Sequence, residues 1–209
     1  MPAATADTIE LVRASTNDAD FAARLIPDTN PRLFDYLHNH DTDCLHQHLA
    51  GQWAASTGLF SHNRATLALH EDQPVGIALG FSAAEHAAAI DPFVMQALEL
   101  LGEARFTQLA ERFALARYVQ PAIPDDAWYL HILAVAPEAR GRGVGDRLLQ
   151  QTMEYARDQG HASLQLDVYA DNPALRLYQR AGMEIIIETS IPPLTAEGIS
   201  THYRMAINL

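Results

Sequence analysis

The chain of 209 residues contains no lysine. All 14 of its basic residues are arginine, set against 26 Asp and Glu for a formal net charge of −12. Binding to a nucleic-acid backbone needs a broad basic surface, so this composition argues against a nucleic-acid partner, while a cationic ligand suits it. A biased genome or a high-salt habitat would each account for the missing lysine. With Cys44 as its one cysteine the chain can form no internal disulfide, and a reducing cytoplasm is the expected compartment. No apolar run reaches the ~18 residues of a membrane span, and Met1 to Thr8 has neither the basic segment nor the apolar core of an export signal. A soluble, cytoplasmic protein without a membrane partner is expected.

What is present is an ordinary globular composition, 48% hydrophobic and 19% charged, with room for a sizeable core. One domain over residues 1–209 is expected, with neither an internal repeat nor a low-complexity tract. The most informative stretch begins with Leu130-His131-Ile132-Leu133-Ala134-Val135, an apolar run that reads as a buried strand, followed by a turn at Pro137. The loop after it carries Gly141, Gly143 and Gly145 among Arg140, Arg142 and Arg147. Val144, Leu148 and Tyr155, with Leu149, Met153 and Ala156, then recur at helical spacing up to Gly160. Glycines allow close backbone approach, and their N–H groups sit beside the free donors of a new helix, so this corner should bind an anion, most naturally a phosphate. A dinucleotide-type Gly-x-Gly-x-x-Gly fits poorly, because position 146 is Asp and five residues separate Val135 from Gly141.

Arg140-x-x-Gly143-x-Gly145, with Val135-x-Pro137 before it and Leu148-Leu149 after it, resembles the acetyl-CoA signature of the GNAT N-acetyltransferases. Asp171-Asn172-Pro173-Ala174-Leu175-Arg176-Leu177-Tyr178-Gln179-Arg180-Ala181-Gly182-Met183 resembles that family's second motif from Ala174 to Gly182. Met183 stands where the family has Phe, and Asp171 falls on the family's Asn position with Asn172 one residue later. The two motifs span residues 130–183.

The resemblance implies a mixed α/β fold. Its central sheet, of about seven mostly antiparallel strands, splays in the middle and is flanked by helices. It implies acetyl-CoA as co-substrate, held by Arg140, Gly141, Arg142, Gly143, Val144 and Gly145 at the diphosphate, by the backbone of Leu133, Ala134 and Val135 along pantetheine, and by Asn172 and Tyr178. Tyr178 matches the family tyrosine near the thioester sulfur, where a phenol can give a proton to the leaving thiolate. Leu130-His131-x-Leu133-Ala134-Val135 is similar to the central strand of arylalkylamine N-acetyltransferases, where a histidine in this place serves a proton path. His131 is thereby the candidate base. Strand alternation places it on the face of Leu133 and Val135. Tyr129, Asp125 and Asp126 are further candidates for holding an amine.

Elsewhere, residues 1–7 read as a tail and Ile9 to Arg13 as a strand. Thr16 or Asn17 should cap a helix through Phe21, Leu25 and Ile26, with short helices around Leu33–Leu37 and from Thr42 to Trp53. Ala65–His70 and Val75–Phe81 read as a hairpin turning at residues 71–74. Residues 83–124 read as a helical insertion: Asp91 and Pro92 open one helix that stops at Gly102, and a second carries Phe106, Leu109, Ala110 and Phe113. This insertion reads as helices docked on the sheet, and the sharper alternative is that it lies over the acceptor end of the cleft and shapes substrate choice. Ser163–Tyr169, Glu184–Ser190 and Thr201–Ile207 read as the last strands, with a helix from Asp171 or Asn172 to Gly182.

The cluster His38, His40, Asp41, Asp43, Cys44, His46 and His48 lacks zinc spacing, and no metal is expected there. Cys44 lies far from both motifs and is no nucleophile. The expected activity is direct transfer of an acetyl group from acetyl-CoA to a primary amine on a small molecule. Acetylation of a protein or peptide N-terminus and a non-catalytic acyl-CoA-binding module are the alternatives, and a homodimer is left open.

Overall fold

Seven strands form one sheet in the order β1-β2-β3-β4-β5-β7-β6. They are β1 Glu10–Arg13, β2 Ala65–His70, β3 Gln73–Ser82, β4 Ala127–Val135, β5 Ser163–Tyr169, β6 Glu184–Thr189 and β7 His202–Asn208. The structure is a computed structural model and describes residues 9–209; the tail expected over residues 1–7 lies outside the described residues. Every neighbouring pair is antiparallel except β4 with β5.

That one parallel pair is short. Its ladder runs only from Ala127 opposite Ser163 to Tyr129 opposite Gln165, although β4 continues to Val135 and β5 to Tyr169. Beyond Tyr129 the two strands part, so each turns an unpaired backbone edge toward the gap. The expected splay is therefore present, between β4 and β5.

A second irregularity lies in β4 itself. Leu79 of β3 faces Ile132 while the next residue, Gly80, faces Leu130, which leaves His131 as an extra residue in the ladder. Such a bulge reverses the alternation that follows it. His131 stacks on Phe60 and Phe81, in the core that holds Ile132 and Ala134, whereas Leu133 and Val135 pack into the core on the other face. The expectation that His131 shares a face with Leu133 and Val135 is thus overturned by one inserted residue.

Helices α1 Ala19–Leu25, α2 Pro31–Leu37, α3 Thr42–Ala54 and α4 Ala83–Ala116 cover one face, while α5 Val144–Asp158 and α6 Leu175–Arg180 cover the other. A short α7, Pro192–Ala196, precedes β7 and had no sequence signal beyond its prolines. Helix α1 is led in by a capping box of Ser15 and Asp18 rather than by Thr16 or Asn17. The β2–β3 turn is two residues long, Glu71 and Asp72, both at positive φ.

Helix α4 differs most from expectation. Ser82 and Glu85 form a capping box that starts it at Ala83, so Asp91 and Pro92 lie inside it instead of opening it. The stop expected at Gly102 is a kink with φ 72° and ψ 166°, after which the helix resumes. Arg112 donates to Tyr36 O and Asn39 Oδ1, fastening the second half of α4 to the turn after α2.

Candidate active site

Strand β4 ends at Val135, a short 3-10 turn covers Pro137–Ala139, and α5 opens at Val144. Between them Gly141 and Gly143 take φ of 78° and 80°, and a Cβ on either would meet nothing within 4 Å. These two glycines are required by backbone conformation and face open space. Gly143 is the N-cap of α5, and no side chain caps that helix. The first helical bond runs from Arg147 N to Gly143 O at 3.0 Å, so the N–H groups of Val144, Gly145 and Asp146 precede it. A cradle of open space at an uncapped helix start is a fit for a phosphate. Gly145 serves packing instead: a Cβ there would stand 3.2 Å from Leu177 Cδ2, so it lets α6 approach α5.

The corner opens into a cleft of about 590 Å³ that follows the gap between β4 and β5. Its wall includes His131, Leu133, Ala134, Val135, Arg140, Gly141, Gly143, Val144, Gly145, Asn172 and Tyr178. Of the residues singled out from sequence for the site, Arg142 and Tyr129 are not on it. Asp125 and Asp126, the acids considered for holding an amine, are exposed in the turn before β4 and do not line the cleft either.

The cleft is also rimmed by Pro31 and Arg32 of the first turn of α2, and by Asp28 and Thr29 in the segment that joins α1 to α2. This segment is a strap across the gap. On the β4 side Asp28 accepts from Arg140 Nη2 at 2.9 Å, and Arg140 Nε donates to Val135 O at 2.9 Å. On the β5 side Asn172 Nδ2 donates to Thr29 O, and Arg32 Nη1 donates to Asp171 Oδ2 and Gly198 O. Two residues expected to face a cofactor therefore also hold the protein together. Arg140 ties strand end to strap, and Asn172 Oδ1 accepts from Ala174 N–H at 2.8 Å while its Nδ2 donates to the strap.

Tyr178 is buried on α6, and burial pushes its phenol above the ordinary tyrosine range. It stays protonated and can act as a donor throughout the physiological range. Both ring nitrogens of His131 are buried with no hydrogen-bond partner among the described residues. Burial, helped by the neighbouring His86 of α4, lowers its pKa to about 3. The imidazole is neutral. His86 lies 6.5 Å from it between ring centroids and also touches Tyr129, so the first turn of α4 closes over this part of the strand.

The family model for acetyltransferases of the GNAT type matches residues 32–183. The chain belongs to the GNAT acetyltransferase family. The mycothiol acetyltransferase of Rhodococcus opacus strain B4 is 38% identical over 66 residues, 31% of this chain and 20% of that protein. The matched stretches span only 17–25% of the length of the curated relatives. Among solved structures, an N-acetyltransferase from Staphylococcus aureus Mu50 superimposes with TM-score 0.73 at 16% identity over 95% of this chain and 100% of its own. A second acetyltransferase gives 0.71 at 23% identity over 95% and 98%. At such identities these likenesses speak for the fold.

Within this GNAT fold Tyr129, considered from sequence for holding an amine, is engaged by two residues the sequence did not single out. Tyr129 Oη donates to Asp167 Oδ2 at 2.8 Å, and Asp167 in turn accepts from Arg204 Nε and Nη2, also at 2.8 Å. Asp167 lines the cleft from β5, and Arg204 reaches it from β7. The available signal was polar Gln165 and Asp167 alternating with apolar Leu164, Leu166 and Val168, which pointed to a second, polar face of β5. Of the histidine cluster, His40 and His46 stand beside Asp35 and Asp20, while His38 and His48 form a buried hydrogen-bonded chain with Gln52. His38 Nδ1 donates to Phe34 O, His48 Nδ1 donates to His38 Nε2, and Gln52 Nε2 donates to His48 Nε2, at 2.9, 2.9 and 3.3 Å. Among the described residues no group of three or more His, Cys, Asp or Glu is placed to hold a metal ion. Cys44 is buried away from the cleft, and burial raises its thiol pKa. No helix of the described residues is long and apolar enough to cross a membrane.

Proposed function

We propose that this GNAT protein transfers an acetyl group from acetyl-CoA directly to a primary amine on a small molecule. The observation that carries this reading is the continuity of the gap: two unpaired strand edges lead from the buried middle of the sheet to a glycine corner with free helix donors. Acetyl-CoA supplies an activated acyl carbonyl. The N–H groups around Gly141 to Gly145 receive its diphosphate, and the free edge of Leu133 to Val135 receives the pantetheine arm. Tyr178, a protonated phenol on the cleft wall, donates a hydrogen bond or its proton to the departing thiolate.

His131 takes the proton of the amine. A nitrogen under acylation becomes strongly acidic, so a weakly basic, neutral imidazole with an open acceptor position suffices. We read residues 1–209 as one catalytic domain acting in the cytoplasm, with the insertion over residues 83–124 shaping the acceptor end through His86. A homodimer, where one forms, would use the free edge of β6, on which Ile185, Ile186 and Ile187 are exposed.

The low basicity of His131 also favours a second reading, a module that binds acyl-CoA without turnover. A panel of amines with acetyl-CoA, followed by thiol release, decides between them. Turnover of at least one amine is expected; none, together with a melting temperature raised by coenzyme A, would establish the binding module.

A further inference from the structure

Four carboxylates line the cleft, and each meets an arginine. Asp28 pairs with Arg140 at 2.9 Å, Asp146 with Arg180 at 3.6 Å, Asp167 with Arg204 at 2.8 Å and Asp171 with Arg32 at 3.1 Å. In a chain of net charge −12 the cleft is thus balanced pair by pair, and it offers no lone carboxylate to a second cation on an acceptor.

The four arginines are not equally committed. Arg204 directs Nε, Nη1 and Nη2 at Asp167, Gln165 and the carbonyls of Pro121 and Ala122. Arg140 uses Nε and Nη2 on Val135 O and Asp28, and Arg180 stands on α6 beside the start of α5, on the cofactor side. Arg32 differs. Its hydrogen bonds, to Asp171 and Gly198 O, both leave from Nη1, and its Nε and Nη2 have no hydrogen-bond partner among the described residues. These two nitrogens form the edge of a guanidinium that grips a carboxylate or phosphate with two parallel N–H bonds. The side chain is 56% exposed and lines the cleft from the first turn of α2, on the β5 side beside Asp171, so the edge is reachable and its base is held.

We propose that Arg32 is the specificity-determining residue for the acceptor, and that the acceptor carries, besides its amine, an anionic group that this edge reads. The inference rests on the amine-acetylation reading and narrows it to amino acids or amino phosphates.

The experiment compares matched pairs under acetyl-CoA: the common L-amino acids and β-alanine against their amides, and phosphoethanolamine against ethanolamine. Thiol release gives kcat/KM, and the melting temperature with coenzyme A plus each compound gives binding. In the native protein an anionic member is expected to lead its neutral partner by at least about tenfold, and the better of the two sets tells carboxylate from phosphate. Arg32→Gln should collapse that ratio toward one, mainly through KM, and Arg32→Lys should recover it only in part, while the shift produced by coenzyme A alone is retained. A merely structural role would lower both members of a pair together and leave the ratio intact, which overturns the proposal. Equal use of anionic and neutral amines by the native protein overturns it too, while leaving N-acetylation standing. Absence of turnover with every amine removes both.

Discussion

Arg204 grips both carboxylate oxygens of Asp167 at 2.8 Å, and the two side chains are 1% and 3% exposed. The pair joins β7 to β5 beside the point where β5 leaves β4, so it buttresses the open side of the cleft. Removing one member strands a buried charge. Asp167→Asn should lower the unfolding free energy by about 3–5 kcal/mol. Denaturant titration measures it, and a loss below about 1 kcal/mol would show that the pair is not sealed as described.

The two kinds of glycine at the corner should respond differently to alanine. At Gly143 the new Cβ has open space but the residue must hold φ 80°, so Gly143→Ala should cost about 1 kcal/mol in strain and weaken coenzyme A binding by disturbing the donors. At Gly145 the Cβ would press on Leu177 Cδ2 at 3.2 Å, so that side chain, one residue before Tyr178, must give by a few tenths of an ångström. Gly145→Ala should therefore reduce turnover more than it reduces coenzyme A affinity. Calorimetry with coenzyme A and thiol-release kinetics separate the two.

Tyr178→Phe removes the phenol while keeping the ring. Loss of a positioned proton donor should lower kcat by about 10²-fold or more, with the coenzyme A melting shift unchanged. A variant with native kcat would deprive Tyr178 of its role.

Acid should unfold this protein through two buried imidazoles. His48 and His131 both have pKa values lowered to about 3, by burial first, with His38 beside the former and His86 beside the latter. An unfolded histidine titrates near 6.5, so below that pH the unfolded chain binds protons that the folded one refuses. Stability is full above the unfolded value and falls as pH drops from about 6.5 toward 3. Each histidine contributes a slope of at most about 1.4 kcal/mol per pH unit. Urea midpoints between pH 7.5 and 4.5 measure the fall, and a flat profile would mean that neither ring is sealed from water.

Much of this was legible from residues alone, and the reasons differ by element. The glycine corner was readable because its chemistry is local: glycine at positive φ, a helix start and flanking arginine all stand within a few residues. Strand β5 was readable to its end residues because hydrophobic alternation persists from Ser163 to Tyr169. The face of His131 was misread because a bulge is decided by the partner strand, where Leu79 and Gly80 skip one residue of β4, and the Leu130–Val135 run carries no mark of it. The start of α4 was placed at Asp91-Pro92 because proline is a strong helix-opening signal. A complete capping box at Ser82 and Glu85 overrode it. The strap and the Asp167–Arg204 pair were invisible for a different reason. Asp28 meets Arg140 across 112 positions of chain and Asp167 meets Arg204 across 37, and no periodicity reports such distances.

The extra residue in β4 has a consequence for anyone seeking a hardier variant. Deleting His131 would restore an uninterrupted ladder with β3 and so tempt a designer who ranks sequences by regularity. The same deletion would leave Leu130, Ile132, Leu133 and Val135 on their present faces and β3 partners, and would remove only the imidazole that the bulge sets against Phe60, Phe81 and His86. The repaired sheet would be the more regular object and the emptier site, because the irregularity is what holds an imidazole on the cleft wall.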